Sequence, residues 1–266
     1  MYGAILGDIV GSPYEFGRGD KTKDFPLFSD ESKYTDDTVM TLAVARAFMA
    51  DPAAGDSELF DAVSDSMREL ASRYPYAGYG TRFSYWLGSR RPQPYGSFGN
   101  GSAMRVSAVA WLYEDIDSVR RAARLSALPT HDHPEGIKGA EAVACAIFMA
   151  RKGRSRQEIK SYTEANFGYD LSRSCDEIRP GYRHVESCME TVPEAFAAFL
   201  EAEDFEDCLR NAVSLGGDAD TLAAIAGSIA EAFFGVPEEL KQRCRDSLPL
   251  LLRDILLRFD EKLGRA

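Results

Sequence analysis

Cysteine is scarce in this 266-residue chain, and its pattern excludes two classes of protein. The five cysteines are an odd number, lie far apart and form no Cys-x-x-Cys pair. This pattern argues against a disulfide framework and against a cysteine-based zinc site. We therefore expect free thiols that mostly fill the core.

Long apolar runs are also missing. No stretch is long and apolar enough to cross a bilayer, and the chain meets the acid Asp8 without the basic segment of a signal peptide. We therefore expect a soluble, cytoplasmic protein with no membrane contact. Acids outnumber bases, and the net charge of −11 repels phosphate backbones. Because the basic residues are dispersed, direct nucleic-acid binding is not expected.

Alternating, strand-like patterns are nearly absent, whereas apolar residues recur at helical spacing. The clearest stretches are 39–49, 59–70, 106–113, 140–149, 195–200, 222–234 and 248–259. First-turn signals occur at Asp56-Ser57, Ser155, Pro193-Glu194 and Pro237-Glu238-Glu239. Glycine-rich stretches at 7–19, 78–80, 96–101 and 216–217 predict loops, and 166–182 predicts the longest irregular connection. The chain thus predicts an all-α fold, a compact orthogonal multi-helix bundle in one domain spanning 1–266.

Two acidic clusters each precede an apolar helix. They are Thr35-Asp36-Asp37-Thr38 and Gly216-Gly217-Asp218-Ala219-Asp220-Thr221. Acids at helix starts are common as caps, which is the simpler interpretation of either cluster alone. The glycine pair and the alternation of acids in the second cluster favour a cation instead. Magnesium suits such oxygen ligands, whereas zinc would require histidines or cysteines and an EF-hand would require a 12-residue calcium loop.

Five segments, taken together and in this order, resemble the ADP-ribosylglycohydrolase family. They are Gly7-Asp8-Ile9-Val10-Gly11-Ser12-Pro13-Tyr14-Glu15-Phe16, the first acidic cluster, Gly96-Ser97-Phe98-Gly99-Asn100-Gly101-Ser102-Ala103-Met104-Arg105, Thr130-His131 and the second acidic cluster. The resemblance implies two Mg²⁺ ions, or Mn²⁺ in their place, at a binuclear site between helix N-termini. It assigns Thr35, Asp36 and Asp37 to one ion, Asp218 and Thr221 to the other, and Asp220 to both.

The resemblance also implies catalytic and substrate-binding residues. Glu15 matches a mobile-loop glutamate that acts as metal ligand, as general acid or base, or as both, and Asp36 and Asp37 join it in catalysis. The substrate-binding residues would be Gly96, Ser97, Phe98, Gly99, Asn100, Gly101 and His131, with the loop holding a diphosphate ahead of a helix 103–113 and Phe98 stacking on adenine. Asp8 is interpreted as a cap or as a support for the metal ligands. His133 is interpreted as a turn or cap residue.

The function that follows from the resemblance is magnesium-dependent hydrolysis of the glycosidic bond between ADP-ribose and an acceptor. The acceptor would be an arginine or serine side chain of a protein, or a small-molecule conjugate, and the enzyme would act as a monomer. Gly11-Ser12-Pro13-Tyr14-Glu15 resembles the serine-linked branch more than the arginine branch. Two alternatives remain open: a non-catalytic ADP-ribose-binding or crystallin-like structural protein, and a two-metal nucleotide hydrolase that releases AMP.

Overall fold

The computed structural model describes residues 1–265, and its backbone is built from helices and loops. The α-helices are α1 (Tyr2–Gly11), α2 (Asp36–Ala50), α3 (Asp56–Arg73), α4 (Thr81–Gly88), α5 (Gly101–Met104), α6 (Val109–Leu112), α7 (Ile116–Ala127), α8 (Pro134–Arg151), α9 (Arg156–Phe167), α10 (Cys175–Ile178), α11 (Cys188–Glu201), α12 (Phe205–Leu215), α13 (Ala219–Phe234), α14 (Glu238–Ser247) and α15 (Leu250–Lys262). A 3₁₀ segment, Ser12–Gly17, follows α1. Within residues 1–265 the only β pairing is an isolated bridge between Gly99 and Ser187, so the all-α prediction is confirmed.

The helix α13 lies at the centre of the fold. Every residue from Ala219 to Glu231 is buried, and α13 packs against α1, α8, α11 and α12. A helix that is apolar on all sides is stable only when neighbours surround it, which explains this position. All five cysteines are buried and free, as the sequence predicted. None of the helices in residues 1–265 has the length and hydropathy together that spanning a membrane requires.

Glycines on one face of α1 bring its backbone against that of α13. Gly3, Gly7 and Gly11 recur every four residues, so they lie on one side of the helix. A Cβ atom built on Gly7 would lie 2.1 Å from the carbonyl oxygen of Ala223, and one on Gly3 would lie 2.0 Å from that of Gly227. No side chain larger than hydrogen fits at this contact. Glycine spacing therefore determines how closely the two helices approach.

The predicted loop 7–19 is wrong over its first part, because Gly7–Gly11 is helical. Glycine is unfavourable in an isolated helix, and here the close contact with α13 outweighs that preference. The predicted helix 106–113 is confirmed only at 109–112, which forms α6, and the helix 103–113 implied by the resemblance is interrupted at 105–108, between α5 and α6. Arg105 follows α5 and donates to the carbonyl oxygens of Ser126 and Ala127, at the end of α7. This tertiary contact interrupts the helical pattern.

The predicted helix start at Pro193-Glu194 is wrong as well, because α11 begins at Cys188 and Pro193 lies inside it. The backbone N–H of Cys188 donates to the carbonyl oxygen of Phe98 at 2.9 Å, beside the Gly99–Ser187 bridge. A contact with a distant loop thus fixes where the helix begins. The start signals at Asp56, Ser155 and Pro237 are confirmed, and Ser155 forms a capping box with Glu158.

We predict that Gly7→Ala lowers the free energy of unfolding by about 1–3 kcal/mol or more, because the added methyl group meets backbone atoms that cannot move independently. Gly88→Ala is the matched control. Gly88 also lies in a helix, has no atom near the site of its missing Cβ, and should lose nothing or gain a few tenths of a kcal/mol. Urea unfolding of both variants checks this. Equal stabilities would contradict the packing argument.

Candidate metal and active site

The starts of α2 and α13 meet at a cavity of about 460 Å³. Thr221 Oγ1, in the first turn of α13, donates a hydrogen bond to Asp37 Oδ2, in the first turn of α2, at 3.4 Å. The two acidic clusters, far apart in sequence, are therefore neighbours in space. The cavity wall comprises Glu15, Phe16, Asp36, Asp37, Met40, residues 78–83, Tyr95, Ser97, Gly99, Asn100, Gly101, Met104, Arg105, His131, His184, Glu186, Asp218, Asp220 and Thr221.

The first helix turn of α2 is capped by residues other than the two acids that open it. Thr35 is the N-cap, and its hydroxyl accepts a hydrogen bond from the N–H of Asp37 at 3.3 Å. The N–H of Asp36 donates to the carbonyl oxygen of Ala77 at 2.8 Å. The side chains of Asp36 and Asp37 are therefore not used as caps. The simpler interpretation of this cluster, an N-cap by one of its acids, is wrong.

Asp8, on α1, holds the start of α2 through hydrogen bonds. Its carboxylate accepts hydrogen bonds from the N–H and hydroxyl of Thr35, at 2.8 and 2.7 Å, and from the N–H of Thr38 at 3.0 Å. The hydroxyl of Thr38 donates to it as well. Asp8 is fully buried, and with four donors around it the carboxylate needs no cation. It therefore caps the first turn of α2, one of the two roles that the sequence analysis gave it.

The second cluster begins with two glycines of positive φ. Gly216 and Gly217 have φ of +76° and +73°, which residues with a side chain rarely adopt. Asp218 then occupies the N-cap position of α13 without capping it, and its Oδ2 accepts from the side-chain amide of Asn100 at 2.7 Å. Asp220 Oδ1 accepts from the N–H of Thr221 at 2.9 Å. The glycine pair therefore places Asp218 and Asp220 at the cavity wall.

Glu15 completes the cluster of acids. It lies in the 3₁₀ segment, where the N–H of Phe16 donates to the carbonyl oxygen of Gly217 at 3.0 Å. Oxygen atoms of Glu15, Asp218 and Asp220 all lie within 4.8 Å of one another. Phe16 itself has φ of +60°, the one non-glycine residue in 1–265 with a positive φ. A strained residue therefore orients Glu15 toward the second cluster.

Burial makes these carboxyl groups weaker acids than usual. It raises the pKa of Asp8 to about 6 and that of Glu15 to about 7, where the charge of Asp218 adds to the effect. Burial and then the charge of Asp8 raise the pKa of Asp36 to about 8. The pKa of Asp37 rises well above its ordinary value for the same two reasons. Without positive charge nearby, the cluster holds protons at neutral pH.

The donor set fits a hard divalent cation. Every candidate ligand offers oxygen, and Asp37 Oδ1 is buried without a hydrogen-bond partner. An unpaired buried carboxylate oxygen is costly, and a cation would satisfy it. Thr35 differs from the other candidate ligands, since it is absent from the cavity wall and its hydroxyl donates to Asp8. Its assignment as a ligand stays a prediction.

His131 forms part of a buried hydrogen-bonded chain. The Arg105 guanidinium donates to Thr130 Oγ1 at 2.9 Å, and that hydroxyl lies 2.7 Å from His131 Nδ1. The threonine hydroxyl thus links the Arg105 guanidinium to the His131 ring. Burial, followed by the charge of Arg105, lowers the pKa of His131 well below its ordinary value. The ring is therefore neutral at pH 7, and it lines the cavity.

The glycine loop 96–101 offers fewer lining residues and fewer free N–H groups to the cavity than the sequence implied. Ser97, Gly99, Asn100 and Gly101 line the cavity, but Gly96 does not. The N–H groups of Gly96, Ser97, Gly99 and Asn100 already donate to protein oxygens. The helix that follows, α5, has only four residues, so its dipole is weak. The long helix expected after this loop is therefore not formed, while diphosphate binding by the loop stays a prediction.

Phe98 also lies outside the cavity wall. It is 44% exposed, and its ring contacts that of His133 with 5.4 Å between centroids. His133 is the N-cap of α8 and accepts from the N–H of Glu135, as expected of a cap residue. Adenine stacking by Phe98 stays a prediction.

Sequence interpretation missed several residues of the cavity wall. The sequence patterns assign no role to Tyr79, Arg105 or His184, which all line the cavity. Arg82 and Tyr95 were not singled out at all. The only signal was their place beside glycine-rich loops, since Arg82 follows Gly78-Tyr79-Gly80 and Tyr95 precedes Gly96.

Comparison with known proteins gives a consistent result. The family model described as ADP-ribosylglycohydrolase matches residues 1–265. ADP-ribosylhydrolase ARH3 from Mus musculus is 29% identical, covering 92% of this chain and 86% of that protein, and the Homo sapiens protein is 29% identical, covering 92% and 87%. A solved structure titled ADP-ribosylglycohydrolase-related protein complex superposes with a TM-score of 0.70 at 23% identity, covering 98% of this chain and 95% of that one. That likeness establishes the fold.

We predict that divalent cations stabilise the protein more at high pH than at low pH. Folding raises the pKa of the clustered carboxylates above the ordinary unfolded value of about 4, so their contribution to stability is present below that pH and is lost as pH rises toward about 8. Cations replace the protons and restore stability. Adding MgCl₂ should therefore raise Tm more at about pH 8 than at about pH 5.5. NaCl at equal ionic strength is the control, and equal Tm increments at both pH values would contradict the prediction.

Proposed function

The chain belongs to the ADP-ribosylglycohydrolase family, and we propose that it is a hydrolase that cleaves the glycosidic bond between ADP-ribose and an acceptor. The observation that carries this proposal is the meeting of Glu15, Asp218 and Asp220 at the wall of a cavity of about 460 Å³. A cavity of this volume is in the range that encloses small-molecule ligands. The name of the relatives, ADP-ribosylhydrolase, supports the same reaction.

We propose that two magnesium ions, or manganese in their place, are held between the two clusters. Thr35, Asp36 and Asp37 would hold one ion, Asp218 and Thr221 the other, and Asp220 both. Support comes from the unpaired oxygen of Asp37 and from the absence of capping by Asp36 and Asp218. Divalent ions in this position supply charge that orients ribose hydroxyls and activates a nucleophile.

Glu15 is proposed to move the proton that glycosidic cleavage requires. Its pKa, raised by burial to about 7, allows the carboxyl group to gain or lose a proton near neutral pH. Glu15 lies in a short segment that the Phe16–Gly217 backbone hydrogen bond joins to the second acidic cluster. The position of Glu15 is therefore fixed relative to that cluster. Glycosidic bonds break through an oxocarbenium-like state, which such an acid or base assists.

We propose that the acceptor is an arginine or serine side chain of a protein, or a small conjugate of ADP-ribose. Phe16 lines the cavity and is 60% exposed, so it offers an apolar surface to the part of the substrate that stays outside. The aligned length with the murine relative, 326 positions, exceeds the 266 residues of this chain. The relative therefore carries insertions that this chain lacks, and acceptor choice need not be shared.

The test is hydrolysis of arginine-linked, serine-linked and base-linked ADP-ribose conjugates, with product mass as the readout. We expect release of ADP-ribose from at least one conjugate, loss of turnover with a chelator, and recovery on adding Mg²⁺. Release of AMP would instead indicate cleavage of the diphosphate. Tight binding of ADP-ribose with no turnover of any conjugate would favour a binding protein and defeat the proposal.

Asp220→Asn should abolish turnover in this assay, since it removes the carboxylate proposed to touch both ions. Helical content, measured by circular dichroism, should stay unchanged because the substitution preserves volume and its hydrogen bond to Thr221. The matched control is Asp61→Asn, an exposed acid on α3, which should retain full activity. Full activity of Asp220→Asn would remove this residue from the site.

Glu15→Gln should lower kcat by roughly 10²–10⁴-fold, the usual contribution of a general acid or base. The amide keeps the shape of the side chain but cannot carry the proton. Glu31→Gln is the control, because Glu31 is an exposed acid of the following loop. A kcat that is unchanged in Glu15→Gln would exclude Glu15 from proton transfer.

A further inference from the structure

We propose that a surface beside the cavity, outside its wall, binds single-stranded nucleic acid. The tyrosine–arginine surface, as we call it, is formed by Tyr76, Tyr85, Arg90 and Arg91. None of the four lines the cavity, but residues 78–83, between the two tyrosines, do. The surface therefore borders the cavity without sharing its side chains.

Acidic residues are absent from the segment that carries this surface. Residues 70–113 contain five arginines and no Asp or Glu, although the whole chain has 42 acids and a net charge of −11. The whole-chain charge and the dispersed bases, from which no nucleic-acid binding is expected, do not reveal this local excess of positive charge. A polyanion is attracted to such a segment even where the rest of the protein repels it.

Arg90 and Arg91 are exposed and follow the end of α4. Within residues 1–265 neither side chain pairs with a carboxylate, so no acid competes with a ligand for them. The turn that carries them is fixed, because Arg68 donates to the carbonyl oxygen of Ser89 at 2.9 Å and the N–H of Arg91 donates to Ser89 Oγ at 3.2 Å. A guanidinium with free N–H groups binds phosphate through two parallel hydrogen bonds.

The two tyrosines offer open aromatic rings. Within residues 1–265 Tyr76 and Tyr85 are the most exposed of the large apolar side chains, at 98% and 78%. Both belong to the same acid-free segment as the arginines. A nucleic-acid base that stacks on such a ring covers apolar area that the fold leaves in water.

The helix α4 holds Tyr85 on a rigid support. Phe83 stacks on Trp86, with 5.5 Å between the ring centroids and 12° between the ring planes, and Trp86 is only 4% exposed. The ring of Tyr79 packs against Phe83 at 5.7 Å. Because these neighbours anchor α4 to the core, Tyr85 is presented to solvent in advance of binding. Less conformational freedom is then lost when a ligand binds.

The combination of open rings and arginines favours single-stranded nucleic acid over an acidic protein segment. Carboxylates would pair with the arginines and leave the tyrosine rings uncovered. A single strand has both unpaired bases that stack on aromatic rings and phosphates that bind arginine. Because a helix rises about 1.5 Å per residue, Tyr85 lies only about 5 Å from the end of α4 that precedes Arg90. One strand can therefore contact both kinds of side chain.

The experiment measures binding of a fluorescein-labelled oligothymidylate of about 12 nucleotides by fluorescence anisotropy. A chelator is present throughout, so that divalent ions cannot bridge phosphates to the acidic clusters. The wild type should bind the strand, and its affinity should fall as NaCl is raised. An excess of ADP-ribose should not displace the strand, because the tyrosine–arginine surface lies outside the cavity wall.

The double variant Arg90→Gln with Arg91→Gln should weaken binding roughly tenfold or more, the effect of losing charge-assisted hydrogen bonds. With about 0.7 per phosphate contact, it should also lower the slope of log affinity against log salt by up to about 1.4. Tyr85→Ala should weaken binding roughly fivefold or more, whereas Tyr85→Phe keeps the ring and should bind as the wild type does. The matched control, Arg124→Gln with Arg154→Gln, removes the same charge from exposed positions elsewhere and should retain wild-type affinity.

Several results would overturn the proposal. They are a wild type that does not bind the strand, wild-type affinity in the Arg90 and Arg91 double variant or in Tyr85→Ala, and an equal loss in the control variant, which would indicate a general effect of charge. Displacement of the strand by polyglutamate at equal charge would indicate an acidic protein partner instead. Displacement by ADP-ribose would place the strand in the cavity.

None of these measurements requires turnover. If the protein hydrolyses a conjugate of ADP-ribose but does not bind the strand, only the tyrosine–arginine surface is excluded as a binding site. If it binds the strand with the expected losses but hydrolyses no conjugate, the surface stands and the hydrolase proposal falls.

Discussion

The contact between the backbones of α1 and α13 is the constraint on which the candidate site depends. It is made along the glycine face of α1, and at its end Gly11 lies against Asp220, whose Cα would be 2.4 Å from a Cβ on that glycine. The same helix carries Asp8, which holds the start of α2 through Thr35 and Thr38. One helix thus positions both acidic clusters, although it contributes no ligand of its own.

The site contains two kinds of buried aspartate, which differ in the hydrogen-bond donors around their carboxylates. Asp8 is encircled by N–H and hydroxyl donors, so its charge is satisfied by the protein and its role is to join helices. Asp37 is just as buried but has an oxygen with no partner, and its neighbours are further acids. A protein that keeps such a group loses stability at that point, and sites that bind ligands commonly carry this kind of cost. The distinction depends on the donors around each carboxylate, which burial alone does not reveal.

Much of the fold could be predicted from the sequence, because the long helices α2, α8 and α13 carry unbroken apolar patterns and the start of α9 has a capping box. The pairing of the acidic clusters was predicted from their resemblance to one family. What escaped prediction depends on distant contacts. The glycines of α1 indicate a loop until α13 is placed against them, and Arg105 interrupts a helical pattern to reach the end of α7. The places of Arg82 and Tyr95 in the cavity wall likewise depend on contacts between distant segments.

The distance along the chain between the partners of the α1 contact has a consequence for folding. The N–H of Gly3 donates to Glu231, 228 residues later. During synthesis α1 therefore emerges long before α13. Until then, the apolar residues of α1 that pack against α13 are not covered by it. Contacts of such long range are slow to form, and partly made chains expose the surfaces that aggregate. The face of α1 that meets α13 is therefore covered only after α13 has been synthesised.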